Sequence, residues 1–179
     1  INVALIGSKF MGRTHSNAYA QIPRFFPQLA LQPVMHTIAA RDENDLKVFA
    51  PRWGWKNHTT DWKSVCANPE IGLIDIGVPN DKHRDMAIAA LEAGKHVACE
   101  KPLANTLEAA REMVQAAKKA KKSKTFVWYN YRRIPAVALA QQMVARGLLG
   151  RIYHVRGFYL QDWAGPDTPL MWRFQGDVA

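Results

Sequence analysis

Cysteine is scarce in this chain of 179 residues, which carries only Cys66 and Cys99. Their spacing fits no metal-binding pattern and the two fall in different predicted elements, which argues against a disulfide scaffold and fits a reducing compartment. Long apolar runs are also missing. None approaches the ~18 residues that a membrane helix needs, and no secretory leader is visible. Low-complexity tracts are absent too, and 48% apolar against 22% charged residues is a globular rather than a disordered composition. The expectation is a soluble, cytoplasmic chain with room for one full core and the beginning of a second domain.

Acidic residues are in the minority, 15 against 24 basic ones, for a net charge of +9. Such a balance can signal nucleic acid. Much of the excess, however, lies in Lys118-Lys119-Ala120-Lys121-Lys122-Ser123-Lys124, at the predicted C-terminal end of a helix, where cations complement the helix dipole. A single-strand-binding surface would interleave aromatics with its basic residues, and this run has none. Neither nucleic acid nor a membrane is expected as a partner. An anionic small ligand, including a phosphate-bearing cofactor, stays compatible with the charge.

Apolar runs alternate with helical stretches along the chain. Strands are predicted over 1–6, 33–40, 72–78, 95–99 and 125–130, with a shorter one within 55–60. Helices are predicted over 11–21, from a cap at Asp42 to about 52, over 61–67, 81–93, and from Asn105, with Glu108 three residues on, to about 121. The stretch between Pro23 and Pro33 reads as loop. This order implies βαβ units, a parallel sheet covered on both faces, and right-handed crossovers: an α/β doubly wound (Rossmann) domain over 1–130. After Asn130 the texture changes. Residues 134–146 read as a helix and 151–160 alternate like a strand with one wet face, so 131–179 reads as the start of a second α+β domain.

Chemistry concentrates at predicted strand tips, where open α/β sheets bind ligands. Gly7-Ser8-Lys9-Phe10-Met11-Gly12 stands between the first strand and the first helix. Gly7 and Gly12 match the outer glycines of a dinucleotide fingerprint, but Lys9 replaces the middle one. The stretch reads as a nucleotide-binding turn, with an ordinary βα turn as the alternative; Lys9 can swing outward and even add to anion binding. At the second tip, Ala40 offers no carboxylate for a ribose hydroxyl while Arg41 offers a guanidinium for a 2′-phosphate, which leans toward NADP over NAD. Arg41 can equally be a solvated loop charge. Val78-Pro79-Asn80 ends a central strand, Asn80 can both cap the next helix and serve a ligand, and His83 reads as either ligand contact or helix-face residue. Glu100-Lys101-Pro102 places an acid and an amine at the next tip, where Lys101 is a candidate catalyst that Glu100 can orient.

Glu100-Lys101-Pro102 after Ala93-Gly94-Lys95-His96-Val97 resembles the Gfo/Idh/MocA family of NAD(P)-dependent sugar and polyol oxidoreductases. Further matches are Gly12 with His15, Pro79-Asn80 with His83, Asn130-Tyr131-Arg132-Arg133, and 147–152. Leu160-Gln161-Asp162-Trp163 and Trp172-Arg173 look like the branch that contains levoglucosan dehydrogenase. The resemblance implies hydride transfer between a secondary hydroxyl of a sugar or polyol and NAD or NADP, with a homodimer or homotetramer built through the second domain. It implies that Lys101 hydrogen-bonds the reacting hydroxyl, and that Asp177 opens an Asp-x-x-x-His segment whose Asp binds substrate and whose His accepts the proton. Asn130, Trp163 and Arg173 are then candidates for the substrate side, Trp163 being equally readable as second-domain core. A catalytically silent NAD(P)-binding sensor of the same fold is the alternative, and Lys101 speaks against it.

Two departures accompany the resemblance. The chain stops two residues before the expected His, and it opens at Ile1 inside an apolar run, so it reads as part of a longer protein and is expected to be inactive alone. Phe174-Gln175 also runs directly into Gly176-Asp177, where this branch usually has a Gly-rich loop.

Overall fold

The computed structural model describes residues 1–176 and 178–179; Asp177 lies outside the described residues. The chain divides into two compact units, Ile1–Trp128 with Gly176–Ala179, and Tyr129–Gln175.

The first unit is a six-stranded sheet in the order β3-β2-β1-β4-β5-β6, every pairing parallel. Its strands are β1 (Asn2–Ile6), β2 (Val34–Ala39), β3 (Asn57–Thr59), β4 (Leu73–Ile76), β5 (His96–Cys99) and β6 (Thr125–Val127). The connecting helices are α1 (Phe10–Phe25), α2 (Glu43–Trp53), α3 (Trp62–Ala67), α4 (His83–Glu92) and α5 (Leu107–Lys119). The order reverses between β1 and β4, which opens a crevice at the carboxyl ends of these two strands.

Side-chain alternation in β1 explains the two layers. Val3 and Leu5 pack with Tyr19, Ile38, Leu46, Phe49 and Trp55 under α1 and α2. Ala4 and Ile6 point the other way, into a cluster with Val65, Ile74, Ile76, Met86, Leu91 and Met113 under α3, α4 and α5. A strand buried on both faces has to be apolar at every position, and β1 is, past its first residue.

Several helix boundaries depart from sequence expectation. α1 runs on to Phe25 through Pro23 instead of giving way to loop. The proline falls in the last turn, where its missing N–H forfeits a single bond, and Phe26 N–H still closes on Ile22 at 2.8 Å. α5 is capped by Thr106, whose hydroxyl accepts from Ala109 N–H at 3.1 Å, one residue beyond the expected Asn105. Strand β6 stops at Val127.

The second unit holds a 3-10 turn, Asn130–Arg133, followed by α6 (Pro135–Ala145), which starts on the proline at its first position as helices tolerate. Tyr131 and Tyr159 meet edge to face at 5.7 Å and share a hydroxyl hydrogen bond of 2.9 Å. Residues 151–160, expected as a strand, form none. A strand needs a neighbour to exchange backbone bonds with, and among the described residues this unit contains no other. No helix among the described residues is long and apolar enough to cross a membrane.

Candidate active site

Backbone crowding builds the turn after β1. Gly7 has φ +118°, a value that L side chains rarely adopt, and a Cβ there would stand 2.3 Å from the carbonyl oxygen of Gly77. A Cβ on Gly12 would stand 2.2 Å from the carbonyl oxygen of Gly7. The two glycines thus let the turn fold onto itself and onto the end of β4. The N–H of Gly7 donates to Ala39 O, and that of Gly77 to Ile6 O, each at 2.8 Å, so the ends of β2, β1 and β4 are pinned together. The N-terminus of α1 carries no side-chain cap and no acidic residue in its first turn, which leaves its amides suited to an anion.

Lys9 is exposed and directs its ammonium to Asp45 Oδ2 at 3.0 Å, where Ser8 also donates at 2.7 Å. These contacts, the Ser8 bond first, hold the Asp45 carboxyl below its usual range. The charge of Lys9 is therefore partnered on α2 in this structure rather than free for an anion. Phe10 is exposed and Met11 half-buried at the start of α1.

At the tip of β2, Asp42 is committed to capping α2, accepting from Asn44 N–H at 2.9 Å and Asp45 N–H at 3.1 Å. Arg41 beside it is exposed and close enough to Lys82 for their like charges to interact.

At the tip of β4, Val78 and Pro79 are half-buried and Asn80 is buried. Asn80 does not cap a helix with its side chain, as expected of it: α4 begins only at His83, after a 3-10 turn over Asn80–Lys82. His83 also departs from the reading as a ligand contact. It is fully buried, with Nε2 2.9 Å from Val78 O and Nδ1 3.0 Å from Pro102 O. It braces the tips of β4 and β5 against each other.

The tip of β5 rests on a buried polar chain. Asp75, fully buried in β4, accepts from Tyr19 Oη at 2.9 Å and from Trp128 Nε1 at 2.9 Å, and its Oδ2 lies 2.8 Å from His15 Nδ1. His15 Nε2 lies 3.1 Å from Glu100 Oε1, and Glu100 Oε2 accepts the backbone N–H of Lys101 at 3.0 Å. Burial opposes a charge on His15, but its bonds to Asp75 and Glu100 prevail and raise its pKa to about 9. Burial, then Asp75, pushes the Tyr19 phenol up; burial, then Asp75 and Glu100, does the same to the Cys99 thiol. The Lys101–Pro102 peptide is cis, Lys101 itself is exposed, and its ammonium makes no hydrogen bond or ion pair among the described residues.

The parallel order β2-β1-β4-β5 thus gathers the Gly7–Gly12 turn, Arg41, 78–80 and 100–102 along one edge of one sheet. In the second unit, Asn130 lies exposed in the 3-10 turn, Trp163 donates to Gln161 Oε1 at 2.7 Å and stacks on Phe174, and Arg173 lies over the Trp172 ring at 4.6 Å. Asp177, expected to bind substrate, lies outside the described residues. Sequence reasoning missed Tyr19, Asp75 and Trp128. The available signal was Asp75: a carboxylate inside the apolar strand Leu73–Ile76 has to find donors on other elements.

Residues 1–129 match the model of the oxidoreductase family with an NAD-binding Rossmann fold, GFO_IDH_MocA. Levoglucosan dehydrogenase of Pseudarthrobacter phenanthrenivorans is 48% identical over 180 residues, covering 100% of this chain and 46% of that protein. A solved structure of levoglucosan dehydrogenase with NADH and levoglucosan has a TM-score of 0.94 at 47% identity, over 99% of this chain and 48% of that one. An oxidoreductase domain protein from Kribbella flavida gives 0.93 at 46% identity, over 99% and 48%. The chain spans about half the length of the relatives it matches. A six-stranded parallel sheet, a glycine-built turn at its switch point and a match across most of the chain make this protein a member of the Gfo/Idh/MocA oxidoreductase family, with an NAD-binding Rossmann fold.

Proposed function

We propose that the full-length protein is an NAD(P)-dependent sugar or polyol dehydrogenase that oxidises a secondary hydroxyl to a ketone. The observation that carries this reading is the placement of Lys101 at the carboxyl end of β5, on the edge where the glycine turn and the Val78–Asn80 tip converge, in a chain 48% identical to a levoglucosan dehydrogenase. The uncapped N-terminus of α1, without an acidic residue in its first turn, fits the diphosphate of a dinucleotide. A bound nicotinamide supplies the hydride acceptor. The chain supplies position and charge: the Lys101 ammonium donates a hydrogen bond to the carbinol oxygen and stabilises the negative charge that grows on it, while the hydroxyl proton goes to the His that the family resemblance implies four residues after Asp177. Glu100 holds the Lys101 backbone, and Val78, Pro79 and Asn80 form the floor beside it.

NADH in the solved relatives supports use of NAD. Exposed Arg41, next to an Asp42 committed to its helix cap, supports acceptance of the 2′-phosphate of NADP as well. We assign the substrate-facing roles of Asn130, Trp163, Arg173 and Asp177 to a substrate domain that begins near residue 131, and expect a cytoplasmic homodimer or homotetramer. Sedimentation of the full-length protein tests the last point.

The deciding experiment mixes full-length protein with NAD⁺ or NADP⁺ and a panel of sugars and polyols, levoglucosan among them, and follows the absorbance of reduced nicotinamide. Turnover is expected, and Lys101→Met should cut it by about 100-fold or more while cofactor affinity survives. Absence of turnover across the panel, or equal turnover in the variant, overturns the reading.

A further inference from the structure

His15 sits one turn beyond Gly12 on α1, so the helix that opens at the dinucleotide turn delivers an imidazole to the floor of the sheet edge. Its two ring nitrogens face carboxylates on different elements, Asp75 of β4 at 2.8 Å and Glu100 after β5 at 3.1 Å. All three side chains are shielded from water, with His15, Asp75 and Glu100 at 8%, 0% and 7% exposure. Each carboxylate is otherwise engaged as an acceptor: Asp75 takes Tyr19 and Trp128, and the second oxygen of Glu100 takes the Lys101 N–H. Ionised carboxylates only accept, so both contacts are hydrogen bonds when the ring donates from both nitrogens. Without the ring, the Glu100 carboxylate would be tethered, among the described residues, only to its own neighbour in sequence.

Resting on the reading of Lys101 as the group that touches the carbinol, we propose that His15 is a positioning residue. By bridging Asp75 to Glu100 it fixes the Glu100 carboxylate, and through it the backbone of Lys101, in register with the Gly7–Gly12 turn. Among the described residues, the groups around the imidazole are Asp75 and Glu100, the Tyr19 hydroxyl on the shared Asp75 oxygen, and the Trp128 ring at 5.3 Å; the Cys99 thiol lies in the field of the two carboxylates. Removal of the ring leaves two buried carboxylates without the cation between them, and like charge then favours uptake of a proton by one of them. A protonated Glu100 accepts the Lys101 N–H more weakly, so the loss is greatest at low pH.

The test uses the full-length protein with NAD⁺ and the best sugar of the panel, following kcat and KM against pH in wild type, His15→Leu, His15→Gln and His15→Leu/Glu100→Gln. In His15→Leu the acid limb of kcat should move up by about one pH unit or more, with KM for NAD⁺ within about threefold of wild type. His15→Gln, which keeps an amide N–H to donate, should move it less, and the double variant should lose the displaced limb because glutamine does not titrate. A fall in kcat by one factor at every pH, or none, overturns the proposal; if His15→Leu does not fold, His15→Gln decides by the same criterion. Side-chain nitrogen NMR of His15 in the full-length wild type near pH 7 gives a readout free of turnover. Two protonated nitrogens support the bridge and one overturns it. A wild type that oxidises no sugar sinks the dehydrogenase reading instead, and the NMR arm still decides the bridge.

Discussion

Nδ1 of His15 and Oδ2 of Asp75 lie 2.8 Å apart, although sixty positions separate them in the chain, and this contact joins α1 to the central strand β4. It is an ion pair with almost no solvent, the side chains being 9% and 0% exposed. Removing one partner of such a pair leaves an uncompensated buried charge, which is what makes the contact stringent.

Stability should fall on the alkaline side. The pKa of His15 rises from 6.5 to about 9 on folding, so its contribution is complete below pH 6.5 and fades as pH rises through 9. At about 1.4 kcal/mol per pH unit this span comes to on the order of 3 kcal/mol. Urea titrations between pH 6 and 10 should show the decline in wild type, and His15→Gln should flatten it.

Tyr19→Phe should cost about 1–2 kcal/mol in the same assay. The phenyl ring keeps its place against Trp55, with which Tyr19 makes an edge contact at 6.4 Å, while Asp75 loses one donor with no water to replace it. A change below about 0.5 kcal/mol would mean that the remaining donors suffice.

Gly12→Ala should weaken NADH binding by about 10-fold or more and destabilise the fold by about 1–3 kcal/mol, because its Cβ would fall 2.2 Å from a backbone oxygen that cannot rotate away. Gly165→Ala is the control. Nothing stands within 4 Å of a Cβ there, and its effect should stay within about 0.5 kcal/mol. Fluorescence titration with NADH and urea unfolding measure the two effects.

Arg41→Ala should weaken NADP⁺ by about 10-fold, a lost charge-assisted contact to phosphate, and leave NAD⁺ within about twofold. Calorimetric titration of both cofactors against both proteins reads the difference. Equal losses for the two cofactors would place Arg41 away from the 2′-phosphate.

The sheet was legible because β1, β4 and β5 are short and apolar on both faces and are separated by helices of ordinary length. The Gly7–Gly12 turn was legible because glycine reports backbone crowding directly. Helix boundaries were not. Asn105 and Thr106 are both competent caps, and only the extended backbone of Thr106 (φ −131°, ψ 158°) selects between them. Pro23 read as a stop, yet a proline in a last turn forfeits little. Residues 151–160 alternate as a strand does, but alternation encodes a face and not a partner. The polar chain beneath Lys101 was the least legible feature. His15, Asp75, Glu100 and Trp128 meet across separations of 53 to 85 positions, and no local period carries such a meeting.

The shortness of β3 bears on how this domain avoids sticking to itself. It forms one border of the sheet with only Asn57, His58 and Thr59, two of them exposed and none aliphatic. A border of three polar residues offers an incoming chain too few free backbone groups, and no greasy face, to template growth. Aggregation through this side of the sheet is thereby discouraged by the brevity and polarity of the strand itself.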